Sequence, residues 1–142
     1  MAVSIRSACS ADGPQIWPLL LQFAKSYSPS KETFDVTLGG LIGESRVRFL
    51  VIEEDGAVLG YALGFVLPTL FANGSILDIL EVVIDESRRG EGLGRTLIGE
   101  LLRVGWDCGC VEAVVPTRRA TPFYEKLGFE RTADYLKIRN PT

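Results

Sequence analysis

The stretch from Ile76 to Trp106 constrains this chain more than any other, because its hydrophobic period changes across a glycine turn. Ile76 to Ile84 is apolar on both faces, the mark of a central buried strand. From Gly92 to Trp106 the period is helical: Leu93, Leu97 and Leu101 form one row, and Ile98, Leu102 and Trp106 an adjacent one. Between them stands Arg88-Arg-Gly-Glu-Gly-Leu-Gly-Arg-Thr96. Glycines at 90, 92 and 94 let the main chain approach a ligand closely and take positive φ where the turn needs it. The first N–H groups of a helix have no intrahelical acceptor, and the macrodipole adds partial positive charge there. Together they make a site for phosphate oxygens.

The flanking sequence supplies the rest of an α/β chain. Val3 to Ala8 alternates as a first strand. Asp12-Gly-Pro14 starts a helix to about Tyr27, with Asp12 near the cap and Pro18 as a break or restart. A second helix, Lys31 to Ile42, follows Ser28-Pro29-Ser30 and is weakened by Gly39-Gly40. Arg46 to Glu53 and Ala57 to Val66 flank Asp55-Gly56, a hairpin signal. After the glycine turn and its helix come a short strand, Val111 to Val115, and a short helix, Arg118 to Leu127, stopped by Gly128. Ala133 to Arg139 reads as a last strand. No repeat or linker divides the chain, so residues 1–142 are expected to form one α/β domain with a mixed sheet.

Composition narrows the function. The net charge of −3 gives no global field for a polyanion, which argues against a nucleic-acid partner. No apolar run approaches the roughly 20 residues of a membrane span, and Met1 to Ser10 lacks the order of a secretory signal, so no membrane partner and a cytoplasmic location are expected. Eleven of the fifteen basic residues are arginine, which suits a small phosphorylated ligand. Cys9, Cys108 and Cys110 form no metal-ligand spacing, and no metal is expected. Histidine is absent, which removes every Ser-His-Asp and Cys-His arrangement. Proton transfer must use Asp, Glu, Tyr, Cys, Lys or water.

The turn fits neither of two common phosphate patterns. A P-loop needs four residues between its glycines and then Gly-Lys-Ser/Thr, whereas Gly90 and Gly94 enclose three and Arg95 replaces the lysine. A dinucleotide fingerprint needs Gly-x-Gly-x-x-Gly in an early βαβ unit; this one is Gly-x-Gly-x-Gly and late. What remains is Arg-x-x-Gly-x-Gly, met by Arg89, Gly92 and Gly94 after Leu80-Glu-Val-Val-Ile84. Here the chain resembles the GCN5-related N-acetyltransferase (GNAT) family. The later stretch Arg118-Arg-Ala-Thr-Pro-Phe-Tyr-Glu-Lys-Leu-Gly-Phe129 is similar to that family's second signature, about 30 residues on and in the same order.

That resemblance implies a GNAT-like single-domain α/β fold, its mixed and mostly antiparallel sheet flanked by helices and splayed between the strands at 76–84 and 111–115. It implies acetyl-CoA as acyl donor, its pyrophosphate on the N–H groups of Arg89, Gly90, Glu91, Gly92, Leu93, Gly94, Arg95 and Thr96. Its pantetheine arm would pair with the main chain of Val82, Val83 and Ile84 almost as an added strand. Glu86 stands where the family often has proline, and Thr117 where an asparagine often contacts the cofactor; Thr117 keeps a hydroxyl for that bond.

Acetyl transfer to an amine requires loss of the ammonium proton and departure of a thiolate. A lysine-like amine has a pKa near 10.4 and arrives charged at pH 7. Tyr124, which the resemblance puts beside the sulfur, is the candidate acid for the thiolate; the alternative is that it packs with Phe123. For the base, Asp78 and Glu81 are the acids inside the apolar strand, where burial would raise either pKa. Their odd spacing sends them to opposite faces unless a bulge intervenes, and bulges here belong to the family pattern. Glu81 is favoured, interrupting a face of Leu77, Ile79 and Val83, with Asp78 second and Glu112 third. The structural alternative is a carboxylate paired with Arg46 or Arg48.

The acceptor, a small-molecule or peptide amine, is expected between the N-terminal helices, bearing Trp17, Phe23, Tyr27 and Phe34, and the loop from Leu67 to Gly74. Leu70 and Phe71 in that loop read as a homodimer contact or a lid. Two other classes compete: a non-catalytic coenzyme A-binding sensor on the same fold, and a small phosphotransferase using Asp85 and Glu86 for metal.

Overall fold

The computed structural model describes residues 2–142. Strand β1 (Ser4–Ser7) leads through a short 3-10 turn into helix α1 (Gly13–Phe23), and α2 (Lys31–Leu41) follows. Strands β2 (Val47–Glu54), β3 (Ala57–Pro68) and β4 (Ser75–Ile84) run consecutively. Helix α3 (Leu93–Asp107) crosses over to β5 (Cys110–Val114), and α4 (Thr121–Lys126) closes the regular structure. The sheet order is β1-β2-β3-β4-β5, antiparallel except for the parallel pair β4/β5. This is the mixed α/β sheet flanked by helices expected above.

Local chemistry sets most of these boundaries. Asp55 (φ 51°) and Gly56 (φ 81°) both take positive φ, as a two-residue hairpin turn between β2 and β3 requires. The Ser30 hydroxyl accepts the Thr33 N–H at 3.1 Å and caps α2. Pro18 does not break α1; it and Pro14, whose carbonyl loses its partner, are both exposed, so water can take that bond. The helix stops at Phe23, short of Tyr27.

Asp12 does not cap α1 with its side chain. Its carboxylate, 4% exposed, accepts from Arg6 Nη1 and Nη2 and from the Cys9 N–H, each at 2.8 Å. Burial of a charge demands such a partner, and the bidentate guanidinium is stronger than a helical N–H.

Alternation along the strands makes two cores. Phe49, Val51, Tyr61, Leu63 and Val83 face α1 and α2, where they meet Ile16, Leu19 and Leu38. Leu50, Ile52, Ala62, Leu77 and Ile79 face α3, where they meet Leu93, Leu97 and Leu101. Full burial of each leucine contributes roughly 1.5–3 kcal/mol. In the second predicted row of α3 Ile98 is buried, but Trp106 lies nearly half exposed.

The strand expected over Ala133–Arg139 does not form. Residues 129–142 carry no regular structure, and Tyr135, Leu136 and Ile138 are exposed. Alternation of apolar residues is insufficient where the segment takes no hydrogen-bond partners from a sheet edge.

Candidate active site

The end of β4 is held in place before the glycine turn begins. Gln22 of α1 donates Nε2 to Asp85 at 2.8 Å and accepts the Glu86 N–H at 2.9 Å, and the Ser87 hydroxyl also donates to Asp85. Arg88 bridges Glu91 at 2.9 Å and Glu54 at 3.2 Å, so it fastens the turn to β2. That guanidinium holds the Glu91 carboxyl below its usual range. Arg89 donates Nε to the Ile84 carbonyl at 3.2 Å, occupying one of the main-chain acceptors expected for a pantetheine arm.

Gly90 and Gly92 adopt φ of 85° and 82°, and Gly92 is the left-handed residue from which α3 starts. Nothing lies within 4 Å of where a side chain would begin at either. Thr96 closes the first turn by donating both its N–H (3.1 Å) and its hydroxyl (3.0 Å) to the Gly92 carbonyl. The N–H groups of Leu93, Gly94 and Arg95 precede that first helical bond and have no acceptor within the helix. A Cβ on Gly94 would stand 3.4 Å from Phe123 Cζ and 3.7 Å from Ile84 Cγ1. The end of β4, the turn and α4 therefore converge at Gly94.

Beside this turn the sheet opens. β4 and β5 pair from Ser75/Cys110 to Asp78/Val114, beyond which β4 continues alone to Ile84 on that edge. An open edge next to free helical N–H groups fits an extended, phosphorylated molecule such as acetyl-CoA.

The register of β4 against β3 places the strand acids. Leu63 pairs with Glu81 and Gly64 with Ile79, so Leu80 is a bulged extra residue. Asp78 pairs with Phe65, two positions from Leu63 on β3, and so shares a face with Glu81. The bulge also corrects the expected neighbours of Glu81. Leu77 and Ile79 turn to α3, and Glu81 lies with Val83 on the side of α1 and α2.

Glu81 Oε1 accepts the Tyr61 hydroxyl at 2.7 Å. Burial pushes the Glu81 carboxyl above its ordinary range, and the Tyr61 hydrogen bond pulls part of the way back. Tyr61 is itself raised, by burial first and then by the Glu81 charge. Burial alone raises Asp78. Neither acid meets the arginines considered for it: Arg46 pairs with Glu44, and Arg48 donates to the carbonyls of Ser45 and Val47. Glu112 is exposed near the start of β5, opposite Ile76.

Tyr124 is 8% exposed, its ring edge-on to Phe123 (5.1 Å) and Phe129 (5.5 Å). Both functions considered for it, packing and proton donation, are therefore open to one side chain. Its hydroxyl has no hydrogen-bond partner among the described residues, yet no buried side-chain polar atom is left unsatisfied, so that oxygen reaches open space. Burial raises its pKa. Thr117 Oγ1 accepts the Ala120 N–H at 3.0 Å, which leaves the hydroxyl proton for another acceptor.

A cavity of about 340 Å³ lies between α1, α2 and the sheet. Phe23, Tyr27 and Phe34 line it, with Tyr61, Leu63 and Glu81 from the sheet. Trp17 is set back against Phe34, 5.2 Å between rings. The loop expected as the opposite wall, Leu67 to Gly74, does not line the cavity, and Leu70 and Phe71 point to solvent. Sequence reasoning missed Tyr61 and Gln22. The signal for Tyr61 was a hydroxyl within a wholly apolar strand, which needs a partner when buried.

Residues 15–129 match the Acetyltransferase (GNAT) family. The chain belongs to that family. Its relatives include glucosamine 6-phosphate N-acetyltransferase of Trypanosoma brucei brucei, 37% identical over 61% of this chain and 60% of that protein. Glucosamine 6-phosphate N-acetyltransferase 1 of Dictyostelium discoideum is 28% identical over 92% of this chain and 94% of its own length. In structure, glucosamine-6-phosphate N-acetyltransferase from Arabidopsis thaliana superposes with a TM-score of 0.85 at 23% identity, covering 98% of this chain and 99% of that one. The GNAT reaction class is transfer of an acetyl group from acetyl-CoA to an amine, and this chain is an N-acetyltransferase by that membership.

Proposed function

We propose that Glu81 is the base and Tyr124 the acid of a direct transfer to a small-molecule or peptide amine, both substrates bound together. The observation that carries this reading is the bulge at Leu80, which turns a desolvated carboxylate into the cavity between the helices and the sheet.

Acetyl-CoA supplies the activated acyl group, a thioester whose carbonyl is attacked and whose sulfur departs. The free N–H groups of the turn, Arg89 to Arg95, hold its phosphates, with Thr96 shaping the turn and Thr117 offering its hydroxyl proton. The main chain of Val82 and Val83, with the N–H of Ile84, faces the arm. Tyr61 occupies Glu81 Oε1, which leaves Oε2 to take a proton from the entering ammonium. A carboxylate raised toward neutrality is a better base than an ordinary one. As the C–N bond forms and the C–S bond breaks, the nitrogen releases its second proton to water, and Tyr124 gives its hydroxyl proton to the sulfur and regains one from solvent. Asp78, on the same face, relays protons by water. The whole activity resides in one domain, in the cytosol, with exposed Leu70 (99%) and Phe71 (79%) as the contact of a homodimer.

The test is a pH profile with an acceptor amine of pKa near 10, following thiol release. Glu81→Gln should lower kcat/KM by a factor of roughly 100 and flatten the acidic limb, because the ionised base is lost as pH falls through its raised pKa. Asp78→Asn should leave the limb in place. An unchanged limb in Glu81→Gln would remove Glu81 from this role.

A further inference from the structure

The cavity between α1, α2 and the sheet differs in chemistry from what a phosphorylated sugar needs. Glu81 is the one charged residue among those lining it, and it is an acid. The rest of its wall is mainly aliphatic and aromatic, including Ile16, Leu20, Phe23, Phe34 and Phe49. Of its few hydroxyls, Ser30 and Thr33 are already bonded to each other at the start of α2. The cations that approach the cavity stand outside its wall, Lys31 on α2 and Lys137, Arg139 and Arg118 around Tyr27. Lys31 pairs with Asp35 at 2.7 Å. Lys137 donates to the Tyr27 hydroxyl at 3.1 Å, and Arg139 lies 5.6 Å from the centre of the same ring.

A phosphate dianion inside this space would lose water, find no cation in the wall and face the Glu81 charge. Sugar hydroxyls would likewise be left short of partners. An apolar body would instead exchange water for the aromatic and aliphatic wall. Its ammonium would find the free oxygen of Glu81. At about 340 Å³ the cavity lies at the small end of ligand pockets, which run from roughly 300 to 1,000 Å³, and so suits a small amine.

We infer that the acceptor is a primary amine on an apolar body, of arylalkyl size, and not a sugar phosphate. The inference rests on the reading above that this cavity receives the acceptor. It also separates the chain from relatives whose names specify glucosamine 6-phosphate.

The experiment uses the full chain, with 2-phenylethylamine and glucosamine 6-phosphate as probes. Thiol release from acetyl-CoA gives kcat/KM for each, and calorimetry with coenzyme A present gives binding without turnover. The expected result is a preference for 2-phenylethylamine of roughly 100-fold. In Thr37→Arg, which puts a cation on the exposed face of α2 where it borders the cavity, that preference should fall at least tenfold with the melting temperature unchanged. Preference for glucosamine 6-phosphate by any margin overturns the inference, and would place its phosphate on Lys137 and Arg139. If 2-phenylethylamine binds and Thr37→Arg weakens it while no amine is acetylated, the inference stands and the catalytic proposal fails. If other amines are acetylated but 2-phenylethylamine neither binds nor reacts, the inference fails alone.

Discussion

Tyr124 combines two properties that usually exclude each other, a packed ring and an unpartnered hydroxyl. Its raised pKa keeps that oxygen protonated across the neutral range, as a donor to a leaving thiolate must be. Tyr124→Phe keeps the aromatic packing and should lower kcat by roughly 100-fold with little change in KM for acetyl-CoA. Full turnover in steady-state assays would assign the residue to packing alone. Asp12 makes a different kind of prediction. Its carboxyl is lowered from 3.8 to about 2, by Arg6 first. A depressed folded pKa contributes stability above pH 3.8 that is lost as pH falls through about 2. With a discount for the partly exposed Arg6, Asp12→Asn should cost about 2 kcal/mol at pH 7 in urea unfolding, and the difference should shrink toward pH 2. A cost that did not change with pH would mean the pairing is not its source.

At the scale of elements, the strand-turn-helix unit from Ser75 to Asp107 is legible in the order of its amino acids. Its signals are local: period, glycine spacing and the missing acceptors of a helix start. Gly92 at φ 82° with no neighbour within 4 Å shows why glycine is required there, for conformation and not for space. A valine has no clash to relieve, but its left-handed backbone costs about 1–2 kcal/mol, so the turn should shift and misalign its N–H groups. Gly92→Val should therefore keep a native far-UV spectrum while acetyl-CoA binding disappears in calorimetry. Unchanged affinity would move the phosphates elsewhere. The element that failed, the strand over Ala133–Arg139, had a pattern but no partner. A helix carries its hydrogen bonds within its own sequence, whereas a strand depends on an edge that another segment must offer.

Across the whole molecule, the sequence by itself determined the order of elements as far as α4, the two apolar faces of the strand from Ile76 to Ile84, the glycine turn and the family to which they point. All of these depend on residues a few positions apart, or on residue types that one conformation demands. Only the tertiary structure decided which acids share a face. Asp78 and Glu81 share a face because β3 pairs around Leu80 and leaves it unmatched, and no local spacing records that register. The same pairing brings Tyr61 to Glu81, twenty residues away in sequence and 2.7 Å apart in space. It likewise took the packing of α1 and α2 on the sheet to enclose a cavity whose one charge is Glu81. Side-chain periodicity fixes which way each residue points along its own element. Which side chains then meet, and how much water they lose, depends on contacts between distant segments, and the pKa shifts of the site follow from those contacts.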